Sequence, residues 1–218
     1  MAGGGVLLDL EYLVDGSGHR LVAFGYWAGY ASAALAVLQH VGQLRSLLRP
    51  QSKGELDAAL ARAHPQRPPR VLVIGAFGRC GRGARDALAV AGLRPTCWGA
   101  GDTRALDRAA LLGHDILINA VHTTRPVPPF LTTADLDDPA RRLSLIVDVT
   151  CDVTSPTNVL PINLPSLLPR EASIDFSVQL WPHLSTLDSS APVWQRCLKA
   201  FHTACHRAGL TVSAGPRG

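Results

Sequence analysis

The stretch VLVIGAFGRCGRGARDALAVAG, residues 71–92, decides the fold. Its first four residues form a short, continuous apolar run, the pattern of a parallel strand covered on both faces. Gly75, Gly78, Gly81 and Gly83 follow, and the apolar spacing then turns helical until Gly92. The glycine spacing is G-x-x-G-x-x-G-x-G rather than the commoner G-x-G-x-x-G. Strand, glycines and helix in that order describe a dinucleotide cradle. Glycines allow a tight turn and close approach to a pyrophosphate, and the helix N-terminus offers free N–H groups and partial positive charge. The plainer reading is a glycine cluster that only turns a strand–helix corner.

Downstream, PTCWG reads as a second, weak strand and RALDRAALLG as a helix, and DILINAV and LSLIVDVT read as further apolar strands. Alternating strands and helices predict an α/β fold with a doubly wound parallel sheet. Ligands of such sheets bind beyond the carboxyl ends of the strands. An NAD site usually places an acid at the end of the second strand, about 20 residues past the glycines. Here Gly99 follows Trp98, and Asp102 comes three residues late. Asp102 reads equally as a substitute for that acid or as a solvated loop acid. A neutral strand end beside Arg104 also suits a 2′-phosphate, on the strength of one arginine. In VDVTCDVTSPTN, Asp148 and Asp152 follow a buried strand. They suit either a ligand amine or ribose, or turn formation. His122, at the end of the preceding strand, reads as a contact on the nicotinamide side or as a structural histidine.

The chain of 218 residues is 47% hydrophobic and only 17% charged, which argues for a packed core rather than disorder. A net charge of +4, carried by singly scattered arginines, argues against a nucleic-acid partner. Five cysteines without a C-x-x-C pair make neither a disulfide framework nor a zinc site, so a reducing compartment is expected. The first residues lack the basic region of a signal peptide. Val6–Val14 reads as a strand and DGSGHR as a turn, and helices are expected over roughly 28–48 and 53–63. A proline-stiffened linker, HPQRPP, follows. The uncharged run Leu21–Leu38 sits at the lower edge of a membrane span, and Gly25 and Gly29 have G-x-x-x-G spacing. The run is weakly hydrophobic and lacks a one-sided basic flank, which favours a buried helix over a membrane-attached protein. Beyond SPTN the strand–helix rhythm stops, and Pro192–Gly209 reads as a closing helix.

With those residues in view, the chain resembles the NAD-dependent, lysine-forming saccharopine dehydrogenases of the aminoadipate pathway, relatives of alanine dehydrogenase and of the transhydrogenase NAD domain. The resemblance rests on LLDLEYLVDGSGHRLVAFGYWAGYASAAL, on VLVIGAFGRCGRGA, on the segment from DILINAVHTTRPVPPF to VDVTCDVTSPTNVLPI, on LPSLLPREAS and, more weakly, on APVWQRCLKAF. It implies oxidation of saccharopine at its secondary amine, with hydride passing to NAD and the imine hydrolysed to lysine and 2-oxoglutarate. It implies cofactor contacts at Gly75, Gly78, Arg79, Gly81, Thr103, His122, Val149 and Leu164. Substrate contacts would be Arg20, Phe24, Thr150, Cys151 and Asp152, with Arg20 suited to gripping a carboxylate. A cytoplasmic monomer acting on a small molecule, away from membranes and nucleic acid, is expected.

The departures from the family are specific. Most of the family's first domain, with its Lys and His acid–base pair, has no counterpart in these residues, so no catalytic residue is assigned. Gly99 stands where the family has its second-strand acid, and Ala120 where it has a cysteine beside the NAD site, leaving Cys80 without that mate. A segment ending in Asp-His is missing at Ile162–Asn163. The expected organisation is the end of a substrate domain over 1–27, connecting helices and linker over 28–69, and a Rossmann-like dinucleotide domain over 70–161. Residues 162–218 would return to the first domain. The chain reads as a truncated, catalytically impaired member of the family. The alternative is a non-catalytic NAD(H)-binding module or regulatory fragment.

Overall fold

The computed structural model describes residues 5–44, 48–63, 67–121, 127–149, 164–187 and 191–210. The chain divides into two bodies, residues 24–172 and residues 1–23 with 173–218.

The larger body begins with helix α1 (Gly25–His40) and helix α2 (Lys53–Arg62). Strand β1 (Val71–Ile74), helix α3 (Arg79–Val90) and strand β2 (Thr96–Trp98) follow. Short helices α4 (Ala100–Arg104) and α5 (Arg108–Leu112) lead to strand β3 (Ile116–Asn119). Helix α6 (Thr133–Asp137) precedes strand β4 (Leu145–Asp148). All strand pairs are parallel, in the order β2-β1-β3-β4. The expected parallel, doubly wound architecture is therefore present.

Alternate side chains of each strand serve opposite faces of the sheet. Val71, Val73, Ile116 and Ile118 point into the core built with α1, α2 and α3. Leu72, Ile74 and Leu117 point to the other face, against Leu111 and Leu112 of α5 and Leu143. Both faces are covered, which is why β1 reads as an unbroken apolar run rather than an alternating one.

Helix α1 is buried along most of its length, with Tyr30, Ala31, Ala33, Ala34, Ala36 and Val37 at 2% exposure or less. The uncharged run at Leu21–Leu38 is thus a core helix. Among the described residues no helix is long and apolar enough to cross a membrane. Small residues let α1 lie directly on α3. A Cβ added at Gly29 would stand 1.9 Å from the carbonyl oxygen of Cys80, and one added at Gly83 would stand 2.0 Å from that of Tyr26. Two phenols close the rim of this contact. The Tyr26 hydroxyl donates to Asp86 Oδ2 at 2.7 Å, and the Tyr30 hydroxyl donates to Asp57, which also holds Lys53 Nζ.

Several expected elements differ. Residues 6–14 form no strand. Asp9 accepts the Glu11 N–H and starts a 3-10 turn at Leu10–Tyr12, leaving only an isolated bridge between Val14 and Arg20. Helix α1 starts at Gly25 and stops at His40 rather than running over 28–48, because Gly42 takes a left-handed φ of +70° just beyond it. The helix expected at RALDRAALLG shortens to α5, since Asp107 caps it by accepting the Ala110 N–H, and α4 ends where the expected helix was to begin. Helix α7 (Pro169–Leu184) was not foreseen. Prolines at both ends of its stretch hide it, and Pro182 lies inside its last turn.

In the smaller body, helix α8 (Pro192–Arg207) is the expected closing helix. Its Val193, Trp194 and Cys197 pack on Leu13 and Val22. The Arg196 side chain donates to the Val14 carbonyl at 2.8 Å, and the Trp194 indole donates to the His183 carbonyl at 2.9 Å.

The backbone contact predicts a sharp contrast between glycines. Gly83→Ala should cost at least about 2 kcal/mol in chemical denaturation, because neither backbone can yield. Gly101→Ala, where an added Cβ meets nothing within 4 Å, should be neutral or stabilising by up to about 1 kcal/mol. The phenols predict an alkaline weakness. Burial first, and then their carboxylate partners, hold both Tyr26 and Tyr30 above the ordinary phenol value of 10.0. The unfolded chain therefore loses these protons before the folded chain does. Stability should fall as pH rises above that value, and Tyr30→Phe should flatten the fall in pH-dependent melting.

Candidate functional site

The sheet order turns at β1. The chain passes from β1 to β2 on one side and later to β3 on the other, so β1 and β3 flank the switch point, and sheets of this kind bind ligands beyond the carboxyl ends of the strands there. The β1 loop is fixed from both sides. The N–H groups of Gly75 and Ala76 donate to the Trp98 carbonyl at 2.9 and 3.2 Å, and the Ala120 N–H donates to the Ile74 carbonyl at 2.9 Å.

The four glycines have different reasons to be there. Gly75 has φ +76°, and a Cβ on it would stand 2.7 Å from the Ala120 carbonyl oxygen. Gly81 sits under the loop, where a Cβ would lie 2.3 Å from the Gly75 carbonyl oxygen. Gly83 is held by α1. Gly78 differs from all three. Its backbone is ordinary extended chain at φ −74° and ψ 177°, and an added Cβ would meet only the Gly75 oxygen, at an unstrained 3.5 Å. It is exposed at the N-terminus of α3. The Arg82 N–H makes a helical bond to the Gly78 carbonyl, and the N–H groups before it belong to the first turn, which has no partners within the helix. The protein's own packing leaves Gly78 free to carry a side chain, so the lack of one leaves open room beside those N–H groups.

Arg79, the first residue of α3, runs its stem toward the start of α1, with its Cδ 3.7 Å from where a Cβ of Gly25 would be. Cys80 is partly buried beside it, and burial pushes its thiol above the usual value, which makes it a poor thiolate. At the β2 end, the Gly99 N–H donates to Asp102 Oδ2 at 2.7 Å, and the Thr103 hydroxyl donates to the Gly99 and Ala100 carbonyls at 3.3 Å. At the end of β4, the Val149 N–H donates to the Asn119 carbonyl at 2.9 Å, and the Asn119 amide donates to Asp148 Oδ1 at 3.2 Å. Gly75, Gly78, Arg79, Gly81, Thr103 and Val149 therefore all lie at or just beyond the carboxyl ends of the sheet.

The other expected site residues are placed as follows. Phe24 is the N-cap residue of α1 and 40% exposed. Arg20 belongs to the smaller body, where its guanidinium is paired with Glu11 at 2.7 Å. The backbone of Leu164 opens a 3-10 turn, Leu164–Leu167. His122, Thr150, Cys151 and Asp152 lie outside the described residues.

Sequence reading passed over Phe77 and Arg85. Phe77 is 66% exposed at the crest of the glycine loop, and the Arg85 guanidinium lies 5.8 Å from the centre of its ring. A large aromatic between the first two glycines, where small residues would be expected to leave the turn clear, was the available clue.

No family profile matches the chain. The saccharopine dehydrogenase [NAD(+), L-lysine-forming] of Schizosaccharomyces pombe is 34% identical to it, over 93% of this chain and 68% of that enzyme. The enzyme of the same name from Neurospora crassa is 36% identical, over 91% of this chain and 66% of its own. The chain thus spans about two thirds of the length of these curated relatives. Among solved structures, an L-alanine dehydrogenase superposes with a TM-score of 0.54 over 90% of this chain and 63% of that one. At 14% identity that likeness speaks for the fold alone. By identity and coverage together, the chain belongs to the NAD-dependent, lysine-forming saccharopine dehydrogenase family.

Proposed function

We propose that this chain supplies the dinucleotide-binding part of an NAD-dependent oxidoreductase acting on saccharopine. The observation that carries the reading is Gly78. Its bare Cα and the first-turn N–H groups of α3 make room and charge complementarity for a pyrophosphate, at the point where the sheet order turns. NAD, when bound, supplies the hydride acceptor for the amine. Gly75 and Gly81 hold the loop low enough for that approach, and Arg79 adds positive charge beside it. Thr103 would line the ribose end, and Val149, His122 and Leu164 the nicotinamide side. Phe24 and Arg20, with Thr150, Cys151 and Asp152, would meet the substrate, as the family resemblance implies. We place the protein in the cytoplasm as a monomer.

A second reading, dinucleotide binding without turnover, is favoured by where the candidate proton carriers stand. The sequence has two lysines, Lys53 and Lys199. Lys53 is held by Asp57 at 2.5 Å, and Lys199 is exposed on α8 in the smaller body. The buried His114 spends Nδ1 on the Ala110 carbonyl at 2.7 Å and Nε2 on the Thr96 hydroxyl at 2.9 Å. Lys53 and His114 are thus already engaged, and the family resemblance leaves its Lys and His acid–base pair without a counterpart in these residues. Loss of general acid and base costs about 10²–10⁴-fold each, so the 218 residues should bind better than they turn over.

Calorimetric titration of the chain with NADH, beside an assay of saccharopine-dependent NADH formation, tests both readings. Binding with little turnover is expected, whereas turnover at an ordinary enzyme's rate would show that other residues move the protons. Gly78→Asp should leave the melting temperature unchanged or higher, since Asp is a good N-cap, and weaken NADH at least about tenfold by filling and charging the cradle. Unchanged NADH affinity in that variant would remove Gly78 from the site.

A further inference from the structure

We infer that Asp102 takes over the role of the missing strand-end acid, holding the adenosine ribose hydroxyls and setting the preference for NAD(H) over its 2′-phosphorylated form. The inference rests on the cradle reading above. Dinucleotide sites of this fold discriminate at the end of the second strand. A carboxylate there accepts the 2′-hydroxyl and repels a 2′-phosphate. Here that position is Gly99, with no side chain to do either.

The geometry returns a carboxylate to the same place from the next helix. Asp102 folds back to accept the Gly99 N–H at 2.7 Å, which puts Oδ2 3.9 Å from where a Cβ of residue 99 would stand. Its other oxygen has room for a further donor, since a carboxylate has about four acceptor positions and this bond uses one. Asp102 is also exposed, so a ligand can reach it.

Phe77 explains why the acid comes from α4 and not from the strand. Its ring carbons lie 3.2 and 3.3 Å from the same Cβ position, so a side chain at 99 would press against the ring. The ring fills the space beside Gly99, and Arg85 lies 5.8 Å from its centre. The exposed ring gives the adenine a surface to stack on. Phe77, Gly99 and Asp102 thus act as one set: the ring crowds a strand-end side chain, the glycine admits the ring, and the helix returns the carboxylate. Arg85 and Arg104 are the opposing influence, being the cations that would welcome a phosphate there.

Fluorescence titration of the full chain with NADH and NADPH tests the assignment. The wild type should prefer NADH by at least about tenfold, the scale of one charge-assisted hydrogen bond gained and one repulsion avoided. Asp102→Asn should bring that ratio near one, by weakening NADH and strengthening NADPH. Asp102→Glu, which keeps the cap and the charge, should retain a preference for NADH; this variant carries the test if the Asn variant melts early. In the Asp102→Asn background, Gly99→Asp with Phe77→Ala should restore the preference. A wild type that favours NADPH, or an unchanged ratio in Asp102→Asn, overturns the assignment and leaves the cradle standing. Binding of neither dinucleotide to the wild type overturns the cradle reading, and this inference with it.

Discussion

The carbonyl of Cys80 on α3 rests against Gly29 of α1, and the carbonyl of Tyr26 on α1 rests against Gly83 of α3. The two helices therefore meet main chain to main chain, twice, with no side chain between them. Contacts of this kind are individually weak, but they fix a distance that side-chain packing would leave adjustable. Helix α3 carries Gly78 and the first-turn N–H groups of the proposed cradle. Helix α1 also covers the sheet face built from Val71, Val73, Ile116 and Ile118. A wider spacing between the helices would either lift α3 off β1 or open the core, and in both cases the N-terminus of α3 would leave the turn at Gly75.

How much was legible follows from how local each cause is. The strand, the glycines and the helix at 71–92 were legible because their reasons lie within a few residues: an apolar run, a turn, a cap. The burial of Leu21–Leu38 was legible in outline, through its alanines and glycines, although not which helix would lie against Gly29. Residues 6–14 were misread because two acids in an apolar stretch resemble an alternating strand until Asp9 turns on its own backbone. Helix α7 stayed hidden between prolines, and its stretch shows no clean amphipathic stripe to give it away. In the site, Gly75 and Gly78 looked alike in sequence. The left-handed φ of Gly75 and the position of Ala120, brought in by strand pairing, separate a glycine the fold needs from one it could dispense with.

Asp102 shows the same limit in electrostatic terms. Its distance along the chain from Gly99 left two roles equally open. The hydrogen bond to the Gly99 N–H shows that three residues of sequence offset become close proximity once α4 begins with a turn. A motif written as fixed spacing along the chain cannot register a group delivered through space by a helical turn. The pairing of Tyr30 with Asp57 and Lys53 is likewise a meeting of α1 with α2 that no local pattern announces.

The contact between α1 and α3 also bears on inheritance. Glycine codons share their first two bases, and any change at either base encodes a larger residue or a stop. At Gly29, Gly81 and Gly83 every such residue would place an atom within 2.3 Å of a backbone oxygen. The gene therefore has no conservative single-base substitution at these codons, whereas Gly78, free of that constraint from its own fold, can record whether a ligand still selects for it.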